Sequence, residues 1–274
     1  MTVLNIDRDK CKKDGICGLV CPGSLIRLPD DDGYPEMIDE GDERCIACGH
    51  CVAACPNAAL EHRLVPIGDC TPIRKELIIN EEQAVQFLRS RRSIRVYRDK
   101  PVEKEKIQRL IEIARYGPTG SNTQMVKWVV LNDREKVHEL SLMVIEWIGD
   151  ILENSPESSP FPIDRLPLYL EAWDNRNDRI LRNAPALVIA AAPEESGMVN
   201  LTILLTYLEL AAPAIGLGAC WAGLLKMAMA SLPALREMAG LSDENPNYYP
   251  MMLGYTKYPY HRLPERKPPD IHWK

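Results

Sequence analysis

Hydrophobic and polar positions follow two different rhythms along the chain. Up to about residue 65, apolar residues come in short runs between cysteines. Thr2-Val3-Leu4-Asn5-Ile6 alternates and predicts a short strand. Leu25–Leu28 and Tyr34–Ile38 flank Asp30-Asp31-Asp32-Gly33, whose Asp-Gly step predicts a hairpin turn. Residues 66–80 hold Pro66, Gly68 and Pro72 without periodicity and are expected to be a linker. From about 81 the periods lengthen. Ile107, Leu110, Ile111 and Ala114 predict a helix that begins after Pro101 and stops at Gly117-Pro118. A strand is expected at Trp128–Leu131, then a charged helix over about 133–152, a proline-rich loop over 154–167 and a polar helix over about 168–182. Ala186–Ala192 is a continuous apolar run and predicts a buried strand. Apolar helices are expected at Val199–Ala212 and Ala228–Met238, and a last strand at Met251–Tyr255. The pattern predicts a domain over 1–65, a linker over 66–80 and a second domain over 81–274.

At 274 residues and 46% hydrophobic content, the chain can bury a core without disulfides. Its net charge of -6 lies in residues 1–70, where 13 acidic side chains face 7 basic ones. That balance argues against nucleic-acid binding by phosphate neutralisation. The apolar stretch Leu201–Ala230 is interrupted by Glu209, Pro213 and Lys226, so it reads as buried helix and loop rather than a membrane span. No basic-then-apolar leader opens the sequence, and a soluble cytoplasmic protein is expected. In that compartment clustered cysteines point to metal rather than to disulfides.

Seven of the nine cysteines lie between Cys11 and Cys55; Cys70 and Cys220 stand outside. Cys45, Cys48, Cys51 and Cys55-Pro56 form C-x2-C-x2-C-x3-C-P, a run that suits a cubane iron–sulfur cluster. Zinc sites more often use two separated C-x2-C halves. Cys11, Asp14, Cys17 and Cys21-Pro22 repeat the run with a carboxylate in the second slot. Residues 1–65 therefore resemble the two-cluster bacterial ferredoxins. The resemblance implies a pseudo-symmetric ferredoxin-like fold with crossed ligation. One cluster would take Cys21, Cys45, Cys48 and Cys51 as [4Fe-4S]. The other would take Cys11, Cys17 and Cys55 with Asp14 nearby. A carboxylate holds iron less firmly than thiolate, so this cluster would be [4Fe-4S] with an oxygen ligand or [3Fe-4S] with an empty corner. A plain surface role for Asp14 is the other reading.

Four short motifs follow in order. Arg91-Arg92-Ser93-Ile94-Arg95-Val96-Tyr97 carries fixed cations suited to a phosphate. Gly117-Pro118-Thr119-Gly120-Ser121-Asn122-Thr123-Gln124 pairs small residues with amide side chains, which suits close approach to a flat ring with polar edges. Ala214-Ile215-Gly216-Leu217-Gly218-Ala219-Cys220-Trp221-Ala222-Gly223 is glycine-rich, yet Trp221 fills the third glycine slot of a dinucleotide fingerprint. Gly254 to Pro268 is a proline-rich tail with Arg262, Arg266 and Lys267. Together these resemble the nitroreductase superfamily, FMN-dependent reductases that fold as homodimers. The resemblance implies an α+β fold, with a central, mostly antiparallel sheet flanked by helices. It assigns FMN binding to Arg91, Arg92, Ser93, Arg95, Pro118, Thr119, Gly120, Ser121, Asn122, Gln124, Gly223, Leu224 and Arg266. Arg262 and Lys267 are second choices for the phosphate. Backbone amides of Gly223 and Leu224 would face the flavin N5. Met125-Val126 departs from the family's usual Pro-Trp. Cys220 reads as a small buried thiol.

No nucleophile–base pair or metalloprotease motif is evident, so no catalytic side chain is assigned. The expected function is an iron–sulfur flavoprotein oxidoreductase. It would relay electrons between the clusters and FMN and reduce a small conjugated acceptor: a nitroaromatic, quinone or enone. The alternatives are an electron carrier serving a protein partner and a binding protein whose clusters only hold the fold. Ferredoxin and NAD(P)H both stand as donors.

Overall fold

The structure, a computed structural model, describes residues 2–29, 33–154, 157, 159 and 162–274, without the side chain of Glu195. The chain divides into two compact units. One comprises residues up to Ile79 together with Ser121–Thr123; the other comprises Asn80–Gly120 and Gln124–Lys274.

The smaller unit runs β1 (Leu4–Ile6), α1 (Ile16–Leu19), β2 (Ile26–Arg27), β3 (Glu36–Met37), α2 (Gly41–Arg44), α3 (His50–Ala54) and β4 (Leu60–His62). β1 and β4 pair antiparallel with Leu4 opposite His62. β2 and β3 pair with Ile26 opposite Met37. Of the turn expected at Asp30-Asp31-Asp32-Gly33, the three aspartates lie outside the described residues. α1 and α3 each follow a glycine with positive φ, Gly15 at 75° and Gly49 at 73°. Only glycine takes that conformation without strain, and it turns the chain sharply between successive cysteines. The small core joins Leu4, Cys17, Ile26, Val52 and Leu60. Ile67 and Cys70, from the segment expected to be a linker, pack against it. That segment also winds into short 3-10 turns at Ile67–Asp69 and Lys75–Leu77.

The larger unit runs α4 (Glu81–Ser90), α5 (Lys104–Ala114), β5 (Lys127–Leu131), α6 (Arg134–Asn154), α7 (Pro167–Asp174), β6 (Ala186–Ala192), α8 (Gly197–Ala211), β7 (Gly218–Trp221), α9 (Gly223–Ser231), α10 (Pro233–Met238) and β8 (Asn247–Gly254). The sheet order is β5-β6-β8-β7 and every ladder is antiparallel, in line with the α+β expectation. Every residue of β6 is buried, because helices cover both of its faces. Leu187 and Ile189 point into a core shared with Leu140 and Ile148 of α6 and Leu225 of α9. Val188 and Ala190 point the other way, toward Leu110 of α5 and Leu201 and Leu205 of α8. Strand alternation thus divides one apolar run between two cores. Gly197–Ile215 is long and apolar enough to cross a membrane by length and composition, yet Leu201, Leu205 and Leu208 face the sheet.

Two expected elements differ, and one strand is present that the sequence does not predict. The polar helix of 168–182 ends at Asp174. Asp178, 4% exposed, accepts from the backbone N–H groups of Ile180, Leu181 and Asn183 and from the Ser141 hydroxyl. Those bonds outcompete helix continuation. The helix expected at 228–238 is two helices, α9 and α10. Pro233 forces Leu232 into an extended conformation and separates them. β7 has no alternating pattern and was not expected from the sequence as a strand. Its edge position and its buried Gly218, Ala219 and Cys220 explain the missing signal.

Candidate active site and metal centres

In the smaller unit, Cys11 precedes α1, Cys17 lies in it and Cys21 follows it; Cys45 and Cys48 lie between α2 and α3, Cys51 lies in α3 and Cys55 follows it, and none is in a disulfide. They fall into two neighbourhoods. Cys51 feels the charges of Cys48, Cys21 and Cys45, and these four line one small cavity with Leu25, Ile26, Met37 and His62. Burial pushes the Cys51 thiol up to about 11. Cys17 feels Cys11 and Asp14, and burial raises it too. Among the described residues no three His, Cys, Asp or Glu side chains converge on a single ion. Thiolates around a cavity, rather than around one point, suit a cluster whose ligands sit at separate corners. Asp14 is exposed, and one of its carboxylate oxygens accepts from Ile16 N–H at 3.1 Å. Backbone amides donate to sulfur in both halves: Leu25 to Cys21 and Ala59 to Cys55, each at 3.3 Å.

In the larger unit, three motifs meet at the edge strand. Ile94 N–H donates to Ala219 O at 2.9 Å, and the Tyr97 hydroxyl closes a turn on Ile94 O at 2.8 Å. Arg98 N–H bonds Tyr255 O, and Lys257 N–H bonds Val96 O. A Cβ on Gly218 would stand 2.4 Å from Ile94 Cγ1 and 2.5 Å from Thr256 Oγ1, so only glycine admits this crossing. The three arginines of the first motif then have separate tasks. Arg91 pairs with Glu209 of α8 at 2.8 Å, and Glu209 also accepts from Trp221 Nε1 at 2.9 Å. Arg92 donates to the carbonyls of Arg89 and Arg91 and so caps the end of α4. Arg95 is exposed and has no carboxylate in ion-pair range among the described residues. It acts electrostatically on Arg182, whose guanidinium burial and the charges of Arg179 and Arg95 push down. Cys220 is buried beside Ser93, Arg95 and Arg182; burial raises its thiol and the two cations oppose that.

Gly223 and Leu224 open α9, so their N–H groups have no carbonyl one turn back within the helix. Gly120 N–H donates to Asn200 Oδ1 of α8, whose Nδ2 holds Ser196. Thr119 Oγ1 accepts from Gln124 N–H. Ser121 and Asn122 group with the smaller unit, where Asn122 Nδ2 donates to the carbonyls of Ile46 at 2.9 Å and Ala47 at 3.1 Å. Pro118 is exposed on the same loop. Arg266 lies on an exposed tail, as do Arg262 and Lys267; its neighbour Glu265 pairs with Arg89. Arg95 and Arg182, which have no carboxylate in ion-pair range among the described residues, the Ser93 hydroxyl and the first-turn amides of α9 are donors of the kind that an anionic ligand with polar edges requires.

Sequence reasoning missed Glu209, Arg182, Asn200 and His62. A lone carboxylate inside the apolar run of α8 was a signal for Glu209, since such a charge needs a partner. Nothing local marked the other three.

A model of the nitroreductase family matches residues 88–255, more than half of the chain. The chain belongs to the nitroreductase family. A 4Fe-4S dicluster domain matches residues 3–56. The chain is thus an iron–sulfur oxidoreductase of the nitroreductase family. The family match takes in the first three motifs and stops at Tyr255, before Arg262, Arg266 and Lys267. One relative is a protein of Archaeoglobus fulgidus named, by inference, as an NADH dehydrogenase/NAD(P)H nitroreductase. It is 24% identical over 185 residues, which cover 64% of this chain and 87% of the relative. A solved nitroreductase with bound FMN from Bacteroides fragilis superimposes with TM-score 0.54 at 18% identity, covering 71% of this chain and 98% of that one. A BluB-like flavoprotein of Clostridium difficile gives 0.53 at 20% identity, covering 68% and 94%. At these identities the structural likeness is one of fold.

Proposed function

We propose that the protein binds FMN in its larger unit and two iron–sulfur clusters in its smaller one, and reduces a small conjugated acceptor such as a nitroaromatic, quinone or enone. The observation that carries the reading is the union, in one chain, of a nitroreductase-family domain with a 4Fe-4S dicluster domain. Bound FMN supplies hydride and single-electron chemistry, and clusters supply single electrons. The FMN-bound nitroreductase fold of the Bacteroides fragilis protein supports the choice of cofactor. Arg95, Arg182 and Ser93 hold the anionic part of the cofactor. The first-turn amides of Gly223 and Leu224 donate to its ring. Arg91 acts at one remove: its pair with buried Glu209 holds the loop that presents Ser93 and Arg95. Cys21, Cys45, Cys48 and Cys51 hold one cluster; Cys11, Cys17 and Cys55, with Asp14 at the fourth corner, hold the other. The active species is a homodimer with the cofactor at its interface, and Arg266 of the tail serves the phosphate there.

The test is anaerobic reduction of the holoprotein, followed by flavin and cluster absorption. Bleaching by NADH or NADPH makes nicotinamide a donor. Bleaching only by reduced ferredoxin or dithionite makes the clusters the entry port. Steady turnover of a quinone or nitroaromatic supports the reductase reading. Reduction of flavin and clusters without such turnover assigns the protein to electron carriage. A purified protein that neither holds nor takes up FMN overturns the proposal.

A further inference from the structure

We propose that His62 is a positioning residue for the cluster at Cys21, Cys45, Cys48 and Cys51: its Nε2–H donates to the Cys45 thiolate and raises that cluster's reduction potential. The proposal rests on the reading of Cys45 as a cluster ligand. His62 ends β4, opposite Leu4, and is 2% exposed. Its Nδ1 accepts from Leu64 N–H at 3.2 Å. A ring nitrogen that accepts carries no proton, so the neutral ring keeps its proton on Nε2. Nε2 stands 3.5 Å from Cys45 Sγ, a hydrogen-bond distance to sulfur. Among the described residues Cys45 Sγ is the hydrogen-bond partner found for Nε2.

The internal repeat supplies a control. A shift of 34 residues carries Cys11, Asp14, Cys17 and Cys21 onto Cys45, Cys48, Cys51 and Cys55. It also carries Leu25 onto Ala59, and the backbone N–H···S bond of each half is retained at 3.3 Å. The same shift carries Leu28 onto His62. Leu28 has no donor and is 37% exposed. Among the described residues the side-chain donor at this position belongs to the second half, and is superimposed on a shared set of backbone donors. Adding one electron to a cluster raises the negative charge on its sulfurs. A fixed N–H dipole at one of them stabilises the reduced form more than the oxidised form. In this step one electron enters, no bond forms or breaks, and the proton stays on Nε2.

The test uses full-length holoprotein with iron counted, titrated anaerobically with dithionite and read by EPR. His62→Phe removes the donor and keeps a ring in the space. His62→Gln keeps an N–H near the Nε2 position. The reduction equilibrium of this cluster is expected to fall three- to tenfold in His62→Phe, tenfold being 59 mV for one electron. In His62→Gln it stays within twofold of wild type. An unmoved potential in His62→Phe with full iron overturns the proposal. Should that variant fail to load iron, the reduced His50→Gln protein, which keeps His62, is labelled with 15N-histidine and read by pulsed EPR. A nitrogen coupling supports the bond, and its absence overturns it. Cys45→Ala separates the two levels of the argument. Loss of one cluster signal keeps the ligand reading; two unchanged signals overturn that reading and this proposal with it.

Discussion

Glu209 sits in an apolar helix because two donors from distant parts of the chain close on it. Arg91 and Trp221 satisfy both oxygens, and the carboxylate is 4% exposed. Glu209→Ala would leave the guanidinium and the indole N–H without their acceptor. The expected cost is roughly 3 kcal/mol, the scale for breaking one side of a buried pair, and urea denaturation reads it. Loss of bound FMN should accompany it, since the loop of Ser93 and Arg95 is tethered through Arg91. Arg95→Ala, by contrast, should lower FMN affinity at least tenfold with stability unchanged, read by flavin fluorescence on dialysis. Glu103 gives a pH signature. The Tyr255 hydroxyl, with backbone and Lys100 donors, lowers its carboxyl from 4.5 to about 2. Because the folded value is depressed, the contribution is present above about pH 4.5 and is lost as pH falls toward 2. The melting-temperature gap between wild type and Glu103→Gln should therefore hold at neutral pH and close below pH 4.5. A gap that persists unchanged in acid would refute the assignment.

Helix ends in this fold are set by side chains that compete with the helix. Periodicity carried the polar helix through to 182, but Asp178 gathers three backbone N–H groups and stops it at Asp174. Asp178→Ala should cost at least about 3 kcal/mol, because several buried donors to a charged acceptor are lost together. Chemical denaturation decides it; a loss under 1 kcal/mol would mean that water replaces the carboxylate. At the edge strand, Gly218→Ala places a methyl against Ile94 and Thr256. Overpacking of that kind costs about 1–3 kcal/mol, and here it also displaces the Arg91–Tyr97 segment. Reduced flavin retention at a modestly lowered melting temperature is the expected result.

For the whole molecule, the surface of the larger unit bears on assembly. α4 buries none of its residues in the single chain, and Val85, Phe87 and Leu88 are exposed along it. On α8, Val199 is 70% exposed and Tyr207 41%. An apolar helix face open to water marks an interaction surface. Light scattering is expected to give twice the chain's mass, and Val199→Asp to shift it toward one. The α+β class and the antiparallel sheet followed from the resemblance of four short motifs to a known family. The cysteine runs and most of the helices and strands could be read from the chain because each is a local pattern: ligand spacing, helical period or an apolar run. The order β5-β6-β8-β7, the pairing of Arg91 with Glu209 across 118 positions and the approach of His62 to Cys45 across 17 could not. Local sequence specifies which face of an element is apolar and which side chains can donate or accept. Which donor meets which acceptor depends on how those faces pack, and packing joins residues whose separation along the chain carries no signal.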